Sequence, residues 1–178
     1  SIARQTLPPA AWYCEVDHAK QGPAPILNRL AAKVDTPWLF RLDDDDILER
    51  DHFETMRPYL RTDQADIVYT WAAVEGRIAR NRYNVPFDAQ RLGTENYIPS
   101  AAAIRTDLWQ KLGGLRTDDN LNRTKHEDWD LWLRYSMIAD FVAVPHVTSR
   151  YRLITRRHAA RERARQHQTA LDYLRRKH

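Results

Sequence analysis

The chain has 178 residues, 43% hydrophobic and 29% charged, which is enough apolar material for one domain-sized core and too little length for two. Its single cysteine, Cys14, excludes an internal disulfide framework and argues against a thiolate-built zinc site. No apolar run approaches the roughly 18 residues of a membrane-spanning helix, and the opening residues lack the profile of a secretion signal, so a soluble, cytoplasmic protein is expected. Charge is split along the chain: residues 1–149 carry 18 Lys and Arg against 22 Asp and Glu, whereas residues 150–178 carry 10 against 2. The basic balance therefore belongs to the tail, which excludes a uniformly basic surface but leaves open a C-terminal element that meets phosphates or an acidic partner.

In chain order, short apolar runs alternate with helical patterns, the signature of an α/β domain with a mostly parallel sheet. Trp12 to Val16 reads as a strand. After the Gly22-Pro23 loop, Ile26, Leu27, Leu30, Ala31 and Val34 share one face of a predicted helix. Pro37 to Leu42 reads as a strand that runs into four aspartates, Asp51 as the N-cap of a helix through about Leu60, and Asp66 to Trp71 as a strand. Residues 75–95 are polar and weakly periodic and read as a surface excursion with a short hairpin. Then come an apolar stretch, Ile98 to Ile104, a helix from Thr106 or Asp107 with a Gly113-Gly114 stop, a polar loop, and a helix from His126 to Ile138. Phe141 to Val144 and Val147 to Leu153 read as strands, and His158 to Arg176 as a closing helix with Ala160, Ala164, Leu171 and Leu174 inward.

Chemistry concentrates in two places. Four adjacent carboxylates, Asp43, Asp44, Asp45 and Asp46, repel one another unless cations compensate them. They stand just past the carboxyl end of a strand, where open α/β sheets place ligand crevices. An oxygen-rich cluster of this kind suits Mg²⁺ or Mn²⁺, which take one or two protein carboxylates and further ligands from phosphates; a solvated acidic turn capping the next helix is the plainer alternative. The second place is His126-Glu127-Asp128-Trp129-Asp130, where carboxylates in a first helical turn also serve as dipole partners. Together, a metal-phosphate site and a facing carboxylate would expel a phosphorylated leaving group while deprotonating an incoming hydroxyl.

The segments QTLPPAAWYCEVD, NRLAAKVDTPWLFRLDDDDILERDHFE, YIPSAAAIRTDLWQKLGGL and HEDWDLWLRY, in this order and spacing, resemble a family 2 glycosyltransferase of the GT-A (Rossmann-like) fold. The resemblance implies a metal-dependent, inverting transferase that uses a UDP- or GDP-linked sugar donor. It implies Asp45 as the principal metal ligand in a DXD-type motif, with Asp46 beside it. Asp43 and Asp46 would hold ribose, donor sugar or metal-bound water, and Asp44 falls at the variable position. It implies nucleoside contact by Asp17, nucleotide and donor contacts by Asn28 and Arg29, a general base in Asp128, acceptor positioning or loop bracing by Glu127, and a place over the diphosphate for His158.

The same resemblance implies an N-terminally shortened chain, with Ser1 to Gln5 corresponding to the late part of the family's first helix. Residues 1–155 are expected to form the catalytic domain, with 156–178 as a basic helix packed on or extending from it. Trp109, Trp129 and Trp132 are expected to be core rather than an acceptor platform. The acceptor hydroxyl stays open among a glycan, a lipid carrier, a protein and a modified base in DNA. Two other readings compete: a non-catalytic GT-A-like scaffold module, and a nucleic-acid-binding protein acting through the basic tail.

Overall fold

A computed structural model describes residues 1–75, 83–118, 121, 126–152 and 157–177, the side chains of 157–164 excepted. The chain opens on a short 3-10 turn, Ile2–Arg4, and continues through α1 (Pro23–Ala31), β1 (Trp38–Phe40), β2 (Ile47–Leu48), α2 (His52–Leu60) and β3 (Ile67–Glu75). There follow α3 (Ala89–Leu92), β4 (Ala103–Arg105), α4 (Thr106–Leu112), α5 (Glu127–Tyr135), β5 (Phe141–Arg152) and α6 (Arg157–Lys177).

The strands form one five-stranded sheet in the order β1-β4-β3-β5-β2. The α/β class stands, but among the described residues the sheet is mixed rather than mostly parallel: β3 and β5 pair in parallel, and the other three described ladders are antiparallel. The physical reason is insertion. β1 and β3 run the same way, as a strand-helix-strand unit requires, but β4 returns between them in the opposite direction.

Strand periodicity sorts the core into two faces. Leu39, Ile67, Tyr69, Ala102 and Ile104 join the larger cluster with Trp109, Trp129, Trp132 and Leu174, whereas their neighbours Val68 and Ala103 join Met56, Ala65 and Val144 on the α2 side. Successive side chains on a strand point to opposite faces, so β3 and β4 are buried on both. β5 is one strand where two were predicted. Pro145 and His146 are skipped in its register with β3, where Thr70 pairs Val144 and Trp71 pairs Val147; a proline without an N–H fits such a bulge.

The predicted strand at Trp12 to Val16 does not form among the described residues. No described strand lies alongside to take up its backbone groups, and Trp12 and Val16 stay 65% and 66% exposed. The segment is tied instead to α1 through the Glu15–Arg29 ion pair and to the turn after it through Tyr13 Oη donating to the Lys33 carbonyl. In the middle of the chain residues 76–82 lie outside the description, so the predicted hairpin is not placed. The short helix α3, capped by Asp88 accepting from the Gln90 and Arg91 amides, was not anticipated. Trp109, Trp129 and Trp132 are buried, as core residues.

Candidate functional site

β1 ends at Phe40, and the aspartates follow in a turn closed by the Asp46 amide donating to the Asp43 carbonyl at 3.2 Å. β2 then leaves antiparallel to β5, which brings Asp46 to the end of β5. There its carboxylate accepts from the Arg152 amide at 3.4 Å and from Ser100 Oγ at 3.2 Å. Asp44 and Asp45 face solvent, while Asp43 and Asp46 are half-buried. Burial, and next to it the charge of Asp43, pushes Asp46 up to about 6 despite those two donors. The turn is thus a place where negative charge is under-compensated.

A cation that meets this turn, Arg41, follows directly on the end of β1. Arg41, its side chain only 11% exposed, donates from Nε and Nη2 to the two Asp43 oxygens at 3.0 and 3.3 Å, and from Nη2 to Glu127 Oε1 at 3.0 Å. Burial works against its charge, but Asp43, Asp128 and Glu127 more than reverse that and hold the guanidinium above its usual range. Glu127, the first residue of α5, is buried; burial and then the charge of Asp128 raise it, and Arg41 opposes them. Asp128 is half-buried, with Oδ2 accepting from Asn96 Nδ2 at 3.1 Å and Oδ1 from the Trp129 amide at 2.8 Å. α5 is itself fixed at this level by Trp129 Nε1, which donates to the Leu92 carbonyl at the end of α3.

The sequence-predicted residues Asp43, Asp46, Glu127 and Asp128 therefore converge, although residues 41 and 127 stand 86 apart in sequence. Three others lie on or before α1. Asp17 accepts from the Gln21 and Gly22 amides, which hold its carboxyl below the usual range, the Gln21 bond being the largest cause. Arg29 pairs with Glu15 and donates to Gln21. Asn28 is engaged at both ends of its amide by the backbone of Leu115, donating to its carbonyl at 2.7 Å and accepting from its N–H at 2.9 Å. The side chain of His158, in the first turn of α6, lies outside the described residues.

Arg41, Asn96 and Ser100 were missed by sequence reasoning. Arg41 carried a signal, a lone charge inside the apolar run PWLFRL; Asn96 and Ser100 carried none, because their partners are 32 and 54 residues away. Among the described residues no group of three or more His, Cys, Asp or Glu is arranged to enclose a metal ion. Asp45, exposed, and Asp46, half-buried, would offer a hard divalent cation one or two carboxylates, its remaining ligands coming from phosphate and water.

The sequence model described as glycosyl transferase family 2 matches residues 13–158. The chain belongs to that family. The matched span of this family 2 chain includes every candidate site residue, from Asp17 to His158. No curated protein matches it, but solved structures do. S. aureus TarS 1-349 in complex with UDP aligns at a TM-score of 0.62 and 11% identity, over 78% of this chain and 42% of that one. TarS itself aligns at 0.61 over 78% and 25%, and the 1-349 form with UDP-GlcNAc at 0.55 over 83% and 43%, both at 11% identity. At this identity the likeness establishes the GT-A-like fold of the family 2 chain, which spans less than half the length of these neighbours.

Proposed function

We propose that this family 2 glycosyltransferase moves a sugar from a nucleotide-diphosphate sugar to an acceptor hydroxyl, with inversion at the anomeric carbon. The observation that carries the reading is the convergence of the aspartate turn and the Glu127-Asp128 pair on one guanidinium. Neighbours in complex with UDP and UDP-GlcNAc favour a uridine diphosphate donor over a guanosine one.

Asp45 and Asp46 would hold Mn²⁺ or Mg²⁺, which when bound supplies positive charge against the diphosphate. Asp128 is the base. The acceptor oxygen bonds to the anomeric carbon, its proton passes to an Asp128 carboxylate oxygen, and the bond from that carbon to the diphosphate breaks with its electron pair leaving on the diphosphate. Asn96 and the Trp129 amide orient the Asp128 carboxylate for this. Glu127, buried and paired to Arg41, braces the helix start. Asp17, Asn28 and Arg29 would edge the nucleotide, Asp43 and Asp44 the ribose or sugar, and His158 the diphosphate. The exposed Arg165, Arg175 and Arg176 of α6 favour an anionic acceptor, a modified base in DNA among the candidates.

The test is a panel of nucleotide sugars with Mn²⁺, read as donor hydrolysis and transfer, beside thermal shifts with UDP or GDP. Stabilisation by UDP only when Mn²⁺ is present supports the reading; its absence with both nucleotides supports a scaffold module. Asp128→Asn is expected to lower kcat by about 10²- to 10⁴-fold while leaving melting temperature and the UDP shift in place, and full activity in that variant overturns the base assignment.

A further inference from the structure

We infer that Arg41 is a positioning residue that locks the donor-side turn to the base-bearing helix. The inference rests on the functional reading just given and assigns a role to a residue outside the motifs. Its guanidinium spends one edge on both oxygens of Asp43 and turns the same Nη2 toward Glu127 Oε1. The Glu127 side of the link is sheltered, with Arg41 11% and Glu127 3% exposed at the side chain against 32% for Asp43, so the Arg41–Glu127 pair is the less screened of the two.

The other described polar contacts join these two elements only indirectly, through the segment after α3 on which Asn96 holds Asp128 and Ser100 holds Asp46. The turn is held to Ser100 and Arg152, and α5 to Leu92, Asn96, Leu112, Gly114 and Arg116. Among the described contacts Arg41 is therefore the direct side-chain tie between the place where a diphosphate would sit and the place where the hydroxyl proton is taken. A planar fork does this and a point charge does not: Lys keeps the positive charge but cannot span a bidentate carboxylate and a second carboxylate together. The effect belongs to alignment of reactants, in which a misplacement of about 1 Å costs on the order of 10²-fold in rate.

The experiment compares wild type, Arg41→Lys, Glu127→Gln and the double variant. It uses the UDP sugar that wild type hydrolyses best with Mn²⁺, and reads kcat and KM separately. Amide hydrogen exchange across residues 127–135 is followed with and without Mn²⁺ and UDP. Arg41→Lys is expected to lower kcat by tenfold or more with donor KM changed less than about threefold. The double variant is expected to be no slower than Arg41→Lys, because both changes cut the same link. Mn²⁺ with UDP is expected to slow exchange in α5 of wild type and not of Arg41→Lys. Near-normal kcat in Arg41→Lys, or losses that multiply in the double variant, overturn the inference. Should Arg41→Lys fail to fold, the isosteric Glu127→Gln decides alone: a KM effect without a kcat effect overturns it. A wild type that neither turns over a donor nor binds UDP with Mn²⁺ instead sinks the functional reading itself.

Discussion

His52 is wholly buried behind the aspartate turn, edge-on to Phe40 and Phe53. Its Nδ1 lies 2.8 Å from Thr148 Oγ1, whose hydroxyl donates onward to Thr70 Oγ1 at 2.8 Å, so the ring is the donor in the first contact. Burial pushes the imidazole down to about 4 from 6.5, outweighing the Thr148 and Ala101 contacts that favour the charged form. Between those values the unfolded chain binds more protons than the folded one. Stability is therefore complete above about pH 6.5 and is lost as the pH falls toward 4, by an amount on the order of 3 kcal/mol for this one group. Because Asp46, raised to about 6, acts in the opposite sense over the same range, the His52 contribution is read as a difference: between pH 7 and pH 4.5 the urea midpoint is expected to fall more in the native protein than in His52→Gln. His52→Gln is expected to start lower at pH 7. Parallel losses in both proteins would place the acid sensitivity elsewhere.

At the scale of elements, the joint between α1 and the end of α4 shows what was legible and what was not. Gly113 and Gly114 announced the helix stop, and both adopt positive φ, 78° and 62°. What the local pattern could not carry is that a Cβ on Gly114 would lie 2.5 Å from Asn28 Oδ1 and 2.7 Å from the Trp109 ring. Gly114→Ala is thus both strained and crowded and is expected to cost about 2 kcal/mol or more in chemical denaturation. Asn28→Ala would strip both backbone partners from Leu115, for an expected loss of about 1–3 kcal/mol; an unchanged melting temperature would free Asn28 for the donor alone. The longer helices were readable from their own apolar period, whereas the four-residue α3, capped by Asp88, was too short to show one. The strand at Trp12 to Val16 was misread because a strand is completed by a neighbour, and its apolar residues have none among the described strands. For the same reason the four aspartates, the Glu127-Asp128 pair and the lone charge of Arg41 stood in the sequence, but the partnership of Arg41 with Glu127 across 86 residues did not.

Over the whole molecule, the strongly basic C-terminal segment is not a free tail. Ala170 and Leu174 of α6 are buried, and Leu174 joins the cluster that contains Trp129 and Trp132. His167 stacks on Trp129 at 5.1 Å, while Tyr173 and Lys177 both meet Asp118 in the loop after α4. Arg165, Arg175 and Arg176 remain outside, so one helix presents an apolar stripe to the core and its charge to solvent. A boundary at residue 156 consequently separates a charge pattern and not a core. Leu174→Ala is expected to cost about 2–4 kcal/mol and to lower the urea midpoint of the entire chain. Tryptophan fluorescence, to which the buried Trp109, Trp129 and Trp132 contribute among six tryptophans, should then move together with far-UV circular dichroism, which reports all the helices. Two separate transitions, or a fluorescence midpoint untouched by the substitution, would show instead that α6 melts away without disturbing the helix that carries Asp128.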